Sequence, residues 1–469
     1  LVKLCNFKRK IAPFCRNNIK KGGIHSMSLI DIFEKFINHL KSLERMLDYG
    51  EIIIERYSKK DGDKSDLIDI FILIVDLKVE ERKGLEHLST IHRKLYDKIQ
   101  QSNENSLIRN IYENIEIEET DNDEASIIIK NPILNRYFQD ELKRNENLST
   151  DITQLNHSIL ISLVTSFELL VSDIFKDFLT NVDKSNLLEK RSIQFTDLLK
   201  IGSVHEAREF LLDQYIEELI RGSFESWVKA IDTTLKINLN QINTIRDNND
   251  IEIMQETFQR RHLLVHNDGV VNDLYLSKID PRIVKVEKKG EKLSTTPDYI
   301  KNRILIFQKV GGILVYRYAT TKYRAMKNKY FEKFNDILLS LAVEGCEGSR
   351  YIYREIMNDD GFDHEAQLYS SINYYLSYKF NDEFELVRSE VEDFRVETLS
   401  EEYKMAKNIL LDNVDQAIEN FKNYTYKVSD DDFLHIIDWP LIKLIRDHEE
   451  IQSLLLERIE GLRIGGSNK

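Results

Sequence analysis

Apolar side chains recur at every third or fourth position over most of this chain, and little interrupts them. Ile30, Phe33, Ile37, Leu40 and Leu43 keep that spacing, a second stretch keeps it from Asp66 to about Gln101, and Leu155, Ile159, Leu163, Phe167, Leu170 and Ile174 keep it again. A period near 3.6 puts such residues on one face of a helix, so each segment needs an apolar partner to cover it. Only 17 Gly and 5 Pro occur in 469 residues, too few for collagen-like, elastic or most all-β architectures. The expected class is all-α, and the length fits about three domains.

Charge narrows the function. Lys and Arg total 66 against 80 Asp and Glu, a net charge of −14, which argues against coating nucleic acid through bulk charge and leaves room for a local cationic site. The three cysteines, Cys5, Cys15 and Cys346, exclude a disulfide framework. No uninterrupted apolar run reaches the roughly 18 to 20 residues that span a bilayer. The most apolar run, Ile159 to Val171, is broken by Ser162, Thr165, Ser166 and Glu168. The expectation is a soluble cytoplasmic protein with no membrane partner.

Four segments follow. Residues 1–26 carry Lys3, Lys8, Arg9, Lys10, Arg16, Lys20 and Lys21 with no acid and no apolar middle; they read as an extension upstream of the native start at Met27, or as a basic arm for a polyanion. Residues 27–148 form an N-terminal helical region, a long helical hairpin turning at Lys59 to Lys64, with Asn103 to Ala125 as a loop or poorly ordered edge. Residues 149–324 open at Ser149-Thr150-Asp151, which can cap a long helix. Helical patterns continue over 185–200, 205–220, 227–239 and 250–266. Arg282 to Leu293 suggests a short β-hairpin turning at Lys289-Gly290, and Thr295-Thr296-Pro297-Asp298 is a strong start for a helix to about Tyr318. Residues 325–469 form a C-terminal helical domain. There Ala406, Leu410, Ala417 and Phe421 around a break at Asp412-Asn413 resemble one tetratricopeptide-like unit with no second copy, and Trp439 reads as core.

Most catalytic signatures are missing. The chain has no Gly-rich phosphate loop, no His-Glu-x-x-His, no zinc-spaced Cys pair and no Gly-x-Ser-x-Gly, and Cys346 has no His nearby in sequence. No cofactor and no metal are expected. The segment that stands out is Gln259-Arg260-Arg261-His262-Leu263-Leu264-Val265-His266-Asn267-Asp268-Gly269. Its histidines can change protonation near neutral pH, and an arginine supplies a permanent, forked phosphate donor. Arg261 and His266 are offset by about 140° and about 7.5 Å on an ideal helix. They converge only if His266 lies in a deformable last turn, which Asn267-Asp268-Gly269 would provide.

This segment resembles the Arg-x4-6-His signature of the HEPN superfamily, small helical domains found in many bacterial toxin and antiphage ribonucleases. Arg261 and His266 fit the four-residue spacing and His262 the polar position after the Arg, while Arg260 fits the five-residue spacing. Arg82 and His87 repeat the spacing, but without such a polar residue or a helix-ending Asn-Asp-Gly. Upstream, Ser166-Phe167-Glu168-Leu169-Leu170-Val171-Ser172-Asp173 resembles the first long helix of one branch of the family, where an acid on an apolar helix faces the Arg. Downstream, Gly269 to Tyr275, Lys289 to Leu293 and Thr296-Pro297 look like that branch's insertion and closing helix. The likeness covers roughly 149–324.

The resemblance implies a multi-domain helical protein with a central HEPN-like bundle carrying the hairpin. It implies a metal-independent endoribonuclease, of toxin or abortive-infection (antiphage defence) type, leaving 2′,3′-cyclic phosphate and 5′-hydroxyl ends. Arg261 and His266 would be catalytic and His262, Asn267, Glu168 and Arg260 supporting. The partners would be an RNA substrate, a second copy in a homodimer through this domain, and an antitoxin or trigger protein. The alternatives are a non-catalytic HEPN scaffold binding RNA, nucleotide or protein, and a helical adaptor. In those readings Glu168 is a buried carboxylate satisfied by any cation, Asp173 an exposed helix acid, His262 a surface residue, and Asn267 a plain helix terminator.

Overall fold

The computed structural model describes residues 28–59, 62–81, 84–85, 88–103, 106–119, 125–182, 191–199, 201–283 and 287–465. The basic leader with Cys5 and Cys15, and the Arg82 and His87 pair, lie outside them. Among the described residues the protein is all-α apart from one two-stranded sheet.

We number helices of seven residues or more. Helix α1 (Leu29–Lys59) is followed by α2 (Gly62–Glu81), α3 (Thr90–Gln101) and α4 (Leu107–Asn114). The expected helix from Asp66 to Gln101 is therefore two, because Ser89 accepts from His92 N–H and caps a new helix. Strands β1 (Ile115–Glu119) and β2 (Ala125–Ile129) pair antiparallel, with Ile117 opposite Ile127. Helix α4 and strand β1 occupy 107–119 of the stretch Asn103 to Ala125 that was expected as a loop or poorly ordered edge, and residues 104–105 and 120–124 lie outside the described ones. The Ile-rich alternation survives the acidic composition because Ile115 buries fully beside Ile111 and Phe138.

The long spine α5 (Pro132–Asp177) starts earlier than the cap expected at Ser149 or Thr150. Asn131 takes that role, its side chain accepting from Ile133 and Leu134 N–H with Pro132 in the first turn. The helix thus runs through the expected boundary at 148/149. Its first half joins a small cluster in which Phe71 and Phe138 stack at 3.8 Å. Its second half buries Ile159, Leu163, Phe167, Leu170 and Ile174 in the main core, at about 1.5–3 kcal/mol per side chain. Over half of its most apolar 18-residue window, of mean hydropathy 1.8, is buried, so the polar interruptions do not stop it from being long and apolar enough to span a bilayer by composition.

Helix α1 lays Phe33, Phe36, Leu40 and Leu47 against α5 and against α9 (Pro297–Lys322) rather than pairing chiefly with α2. The expected cap of α9 is present: Thr296 accepts from Tyr299 N–H and Pro297 follows. Gly311 on α9 lies where α1 crosses, and a Cβ there would sit 2.4 Å from Phe36 and 3.1 Å from Leu170. We expect Gly311→Val to cost about 1–3 kcal/mol through overpacking; an unchanged urea midpoint would contradict that close approach.

Between α5 and α9 run α6 (Val204–Arg221), α7 (Phe224–Ala230) and α8 (Asp250–His266). The pattern over 227–239 breaks early, where Lys236 takes a left-handed backbone with φ 61°, and of 185–200 only Phe195–Leu198 is helical among the described residues. Beyond α9 come α10 (Lys327–Val343), α11 (Glu347–Met357), α12 (His364–Phe380), α13 (Glu401–Leu410), α14 (Val414–Thr425), α15 (Asp430–Asp438) and α16 (Glu449–Gly465). Ala406, Leu410, Ala417 and Phe421 are all buried where α13 meets α14, and Trp439 packs at 8% exposure with its indole N–H on Asn373 at 2.9 Å. One hydrophobic core runs from α1 through α5 and α9 into these helices, so apolar packing is shared across the expected boundary at 324/325.

Candidate active site

Helix α8 carries the motif, and its middle is anchored by a buried carboxylate. Glu256 is fully buried and accepts from Arg260 Nε at 2.6 Å, Tyr275 Oη at 2.8 Å, Tyr299 Oη at 2.6 Å and Arg303 at 3.4 Å. Burial alone would push this carboxyl up, but Arg260, the Tyr299 hydroxyl and Arg303 together hold it below its usual range. Arg260 is 3% exposed, donates also to the Ser294 carbonyl, and stacks on Tyr299. Of the two adjacent arginines, Arg260 is thus a structural clamp and only Arg261 reaches the surface.

The end of α8 is built as the sequence suggests. His266 is the last helical residue, Asn267 and Gly269 N–H both donate to the Leu263 carbonyl, and Asp268 and Gly269 adopt φ 49° and 74°. The Asn267 side chain donates to the Val270 carbonyl at 2.6 Å, a terminator's role. The segment beyond differs from the expected hairpin. Gly290 does turn with φ 87°, and among the described residues Glu291 and Leu293 pair with Val271 and Gly269. Burying Val271, Tyr275 and Leu293 against Leu263 favours this pairing, and residues 284–286 lie outside the described ones.

The structure brings together His262 and His266, whose rings lie 4.6 Å apart on the exposed face of the last turn. Arg261 is half-buried on the flank toward α5, with its Nε buried and without a hydrogen-bond partner. Glu168 on α5 is half-buried; burial pushes its carboxyl up and the nearby Arg261 charge pulls it back, with no direct ion pair between them among the described residues. No hydrogen bond or cation–ring contact joins Arg261 to His266 among the described residues, and Asp173 bonds Lys35 at 3.0 Å.

His262 is held below the ordinary imidazole range, first by desolvation and then by the charges of His266, Lys278 and Arg261. It is therefore a neutral acceptor at pH 7. We expect His266→Ala to raise the His262 pKa, read by NMR titration of its ring protons; an unchanged titration would show that the rings are not coupled.

Two residues near the end of α8 and the turn beyond it lack a motif in the sequence. His157 on α5 sits near Lys292 and Asp268, its pKa lowered by desolvation and then by Lys292, and Lys292 pairs with Asp268 at 2.9 Å. No spacing in the sequence tied it to Glu168: the two share a face of α5 to within about 20° but lie about 16 Å apart along it. Lys278, beside His262, had no signal either.

The fold defines an all-α protein with an exposed histidine pair and an arginine at one helix end. Comparison of the chain with known protein families, with curated proteins and with solved structures finds no match.

Proposed function

We propose that this protein is a metal-independent endoribonuclease of the HEPN type. The observation that carries the reading is the end of α8, where His262 and His266 stand 4.6 Å apart in solvent beside Arg261. RNA cleavage without a metal needs a base for the 2′-hydroxyl, donors for the charge growing on phosphorus oxygens, and an acid for the leaving 5′ oxygen. Neutral His262 takes the 2′-hydroxyl proton as O2′ bonds to phosphorus. His266 gives its proton to O5′ as the P–O5′ bond breaks, leaving a 2′,3′-cyclic phosphate and a 5′-hydroxyl. Arg261, half-buried and permanently charged, grips the phosphoryl oxygens through its guanidinium, and Glu168 positions it.

The resemblance adds a second copy. Leu169 and Val265, at 42% and 46% exposure beside Glu168 and His266, support a dimer seam there. A toxin or abortive-infection role follows if the flanking helices, or an antitoxin, restrain the site until triggered. The test is cleavage of labelled single-stranded RNA in EDTA, with the ends analysed. Cyclic phosphate products that persist in chelator are expected, and loss of activity in EDTA would reject metal-free chemistry. RNA affinity without cleavage by the wild type would favour the non-catalytic scaffold.

A further inference from the structure

Residues 259–293 carry eight Lys and Arg against five Asp and Glu, a surplus of three positive charges in a chain whose net charge is −14. Pairing locates that surplus. Asp268 holds Lys292 at 2.9 Å, Asp273 holds Lys289 at 2.5 Å and Asp280 holds Arg282 at 2.5 Å. Glu287 faces Arg260 at 3.8 Å and accepts from Ser294 N–H, while Glu291 accepts from Lys288 N–H. All five acids are thus engaged, Arg260 belongs to Glu256, and Lys285 lies outside the described residues. Arg261, Lys278 and Lys288 are left without an ion pair among the described residues.

The lysines sit on a frame. Beyond the end of α8 the chain makes the short helix Asp273–Ser277 and then returns, so that Val271, Tyr275, Ile279 and Leu293 bury against Leu263. Val271 N–H donates to the Glu291 carbonyl, Gly290 N–H to the Val271 carbonyl and Leu293 N–H to the Gly269 carbonyl. A backbone fixed in this way holds its charges in place before a ligand arrives, which lowers the ordering cost of binding.

Lys278 follows the short helix and stands close enough to His262 for its charge to act on the imidazole. Lys292 stands at the other end, on Asp268, two residues past His266. His262 and His266 span about 6 Å of helix between them, with Arg261 alongside. Toward the start of α8 the carboxylates of Glu225, Asp232 and Glu252 line the surface beyond Lys278, and they turn a polyanion back toward the histidines. Tyr275 and Tyr299 point inward onto Glu256, so this face offers cations to phosphates and keeps those rings from stacking on bases.

We propose that residues 270–283 and 287–293 form a phosphate-binding arm that seats a single RNA strand across the end of α8. Lys278 holds a phosphate on one side of the histidine pair and Lys292 holds one on the other, with Lys288 in the turn beside it. The carboxylate on Lys292 is a weak competitor: the two side chains are 56% and 82% exposed, and such pairs contribute little in water. Contacts to phosphate fix the register of a strand without reading its sequence. The arm's part in cleavage rests on the ribonuclease reading; strand binding itself does not.

The experiment is fluorescence anisotropy of the full chain with labelled oligouridine and oligoadenosine whose 2′-hydroxyls are methylated, over a range of KCl concentrations. These strands offer phosphates and no hydroxyl to attack them. Lys278→Gln and Lys292→Gln are each expected to weaken binding about fivefold, equally for both sequences, and to lower the slope of log affinity against log salt by about 0.7. Lys278→Arg should restore both quantities, and Lys98→Gln on α3 should change neither. All three lysines are exposed, so folding is not at stake. No binding by the wild type, an unchanged slope in Lys278→Gln and Lys292→Gln, or an equal loss in Lys98→Gln overturns the proposal. Strand binding that depends on Lys278 and Lys292, with no cleavage of unmodified RNA, leaves the arm standing and sinks the ribonuclease reading; cleavage indifferent to both lysines does the reverse.

Discussion

Arg261→Ala and His266→Ala are each expected to lower RNA cleavage by a factor on the order of 100 or more, with helical circular dichroism unchanged. Removing Arg261 takes away the cation that pulls the Glu168 carboxyl down and the forked donor for the phosphate. Its Nε has no hydrogen bond to lose, so the fold should tolerate the change. His266 ends α8 in solvent, and the helix is terminated by backbone bonds to Leu263 rather than by that ring. Arg261→Lys should recover part of the loss, because an ammonium keeps the charge but not the fork. The readout is cleavage of end-labelled RNA, together with toxicity on overexpression if the protein is a toxin. A fully active double variant would end the nuclease reading, whereas inactive variants that retain wild-type melting behaviour would separate chemistry from folding.

Glu256→Ala should give the largest loss of stability, about 3–5 kcal/mol, because it strands Arg260 and Arg303 without their shared carboxylate in the interior. It also removes the acceptor for the Tyr275 and Tyr299 hydroxyls. Because the folded carboxyl is held below its usual value, its stabilising contribution is present above the unfolded value near 4.3 and lost as pH falls through the folded value. Urea unfolding at pH 7 measures the first effect, and the same titration toward acid should show a shallower loss in the variant than in the wild type. A cost below about 1 kcal/mol would mean that the network is replaceable. Since Arg260 also ties α8 to the Ser294 carbonyl, cleavage should fall in this variant even under conditions where it remains folded.

Much of this arrangement was legible in order along the chain. The helical class, the termination of α8 at Asn267-Asp268-Gly269 and the Thr296-Pro297 start of α9 follow from local rules that act within one turn. The start of α5 did not: Ser149 and Thr150 are good caps, but nothing between Asn131 and Ser149 forces a helix to stop, and continuous hydrogen bonding carried it through. The pairing of β1 with β2 was hidden because Glu116 and Glu118 dilute an apolar alternation of which only Ile115 is fully buried, and the pairing of Leu293 with Gly269 because it depends on where Tyr275 and Leu263 pack.

The choice among candidate residues divides in the same way. Local periodicity, capping residues and the composition of the 259–269 segment were enough to single out one helix end as a candidate site, since those interactions are set by neighbours three and four positions apart. Which of two consecutive arginines faces solvent, that His262 rather than Arg261 stands against His266, and that Lys278 comes beside His262 were decided by tertiary packing. One residue along a helix is a turn of about 100°, and only the elements that close over a face determine which side is buried: here Glu256 and Tyr299 draw Arg260 inward and leave its neighbour outside.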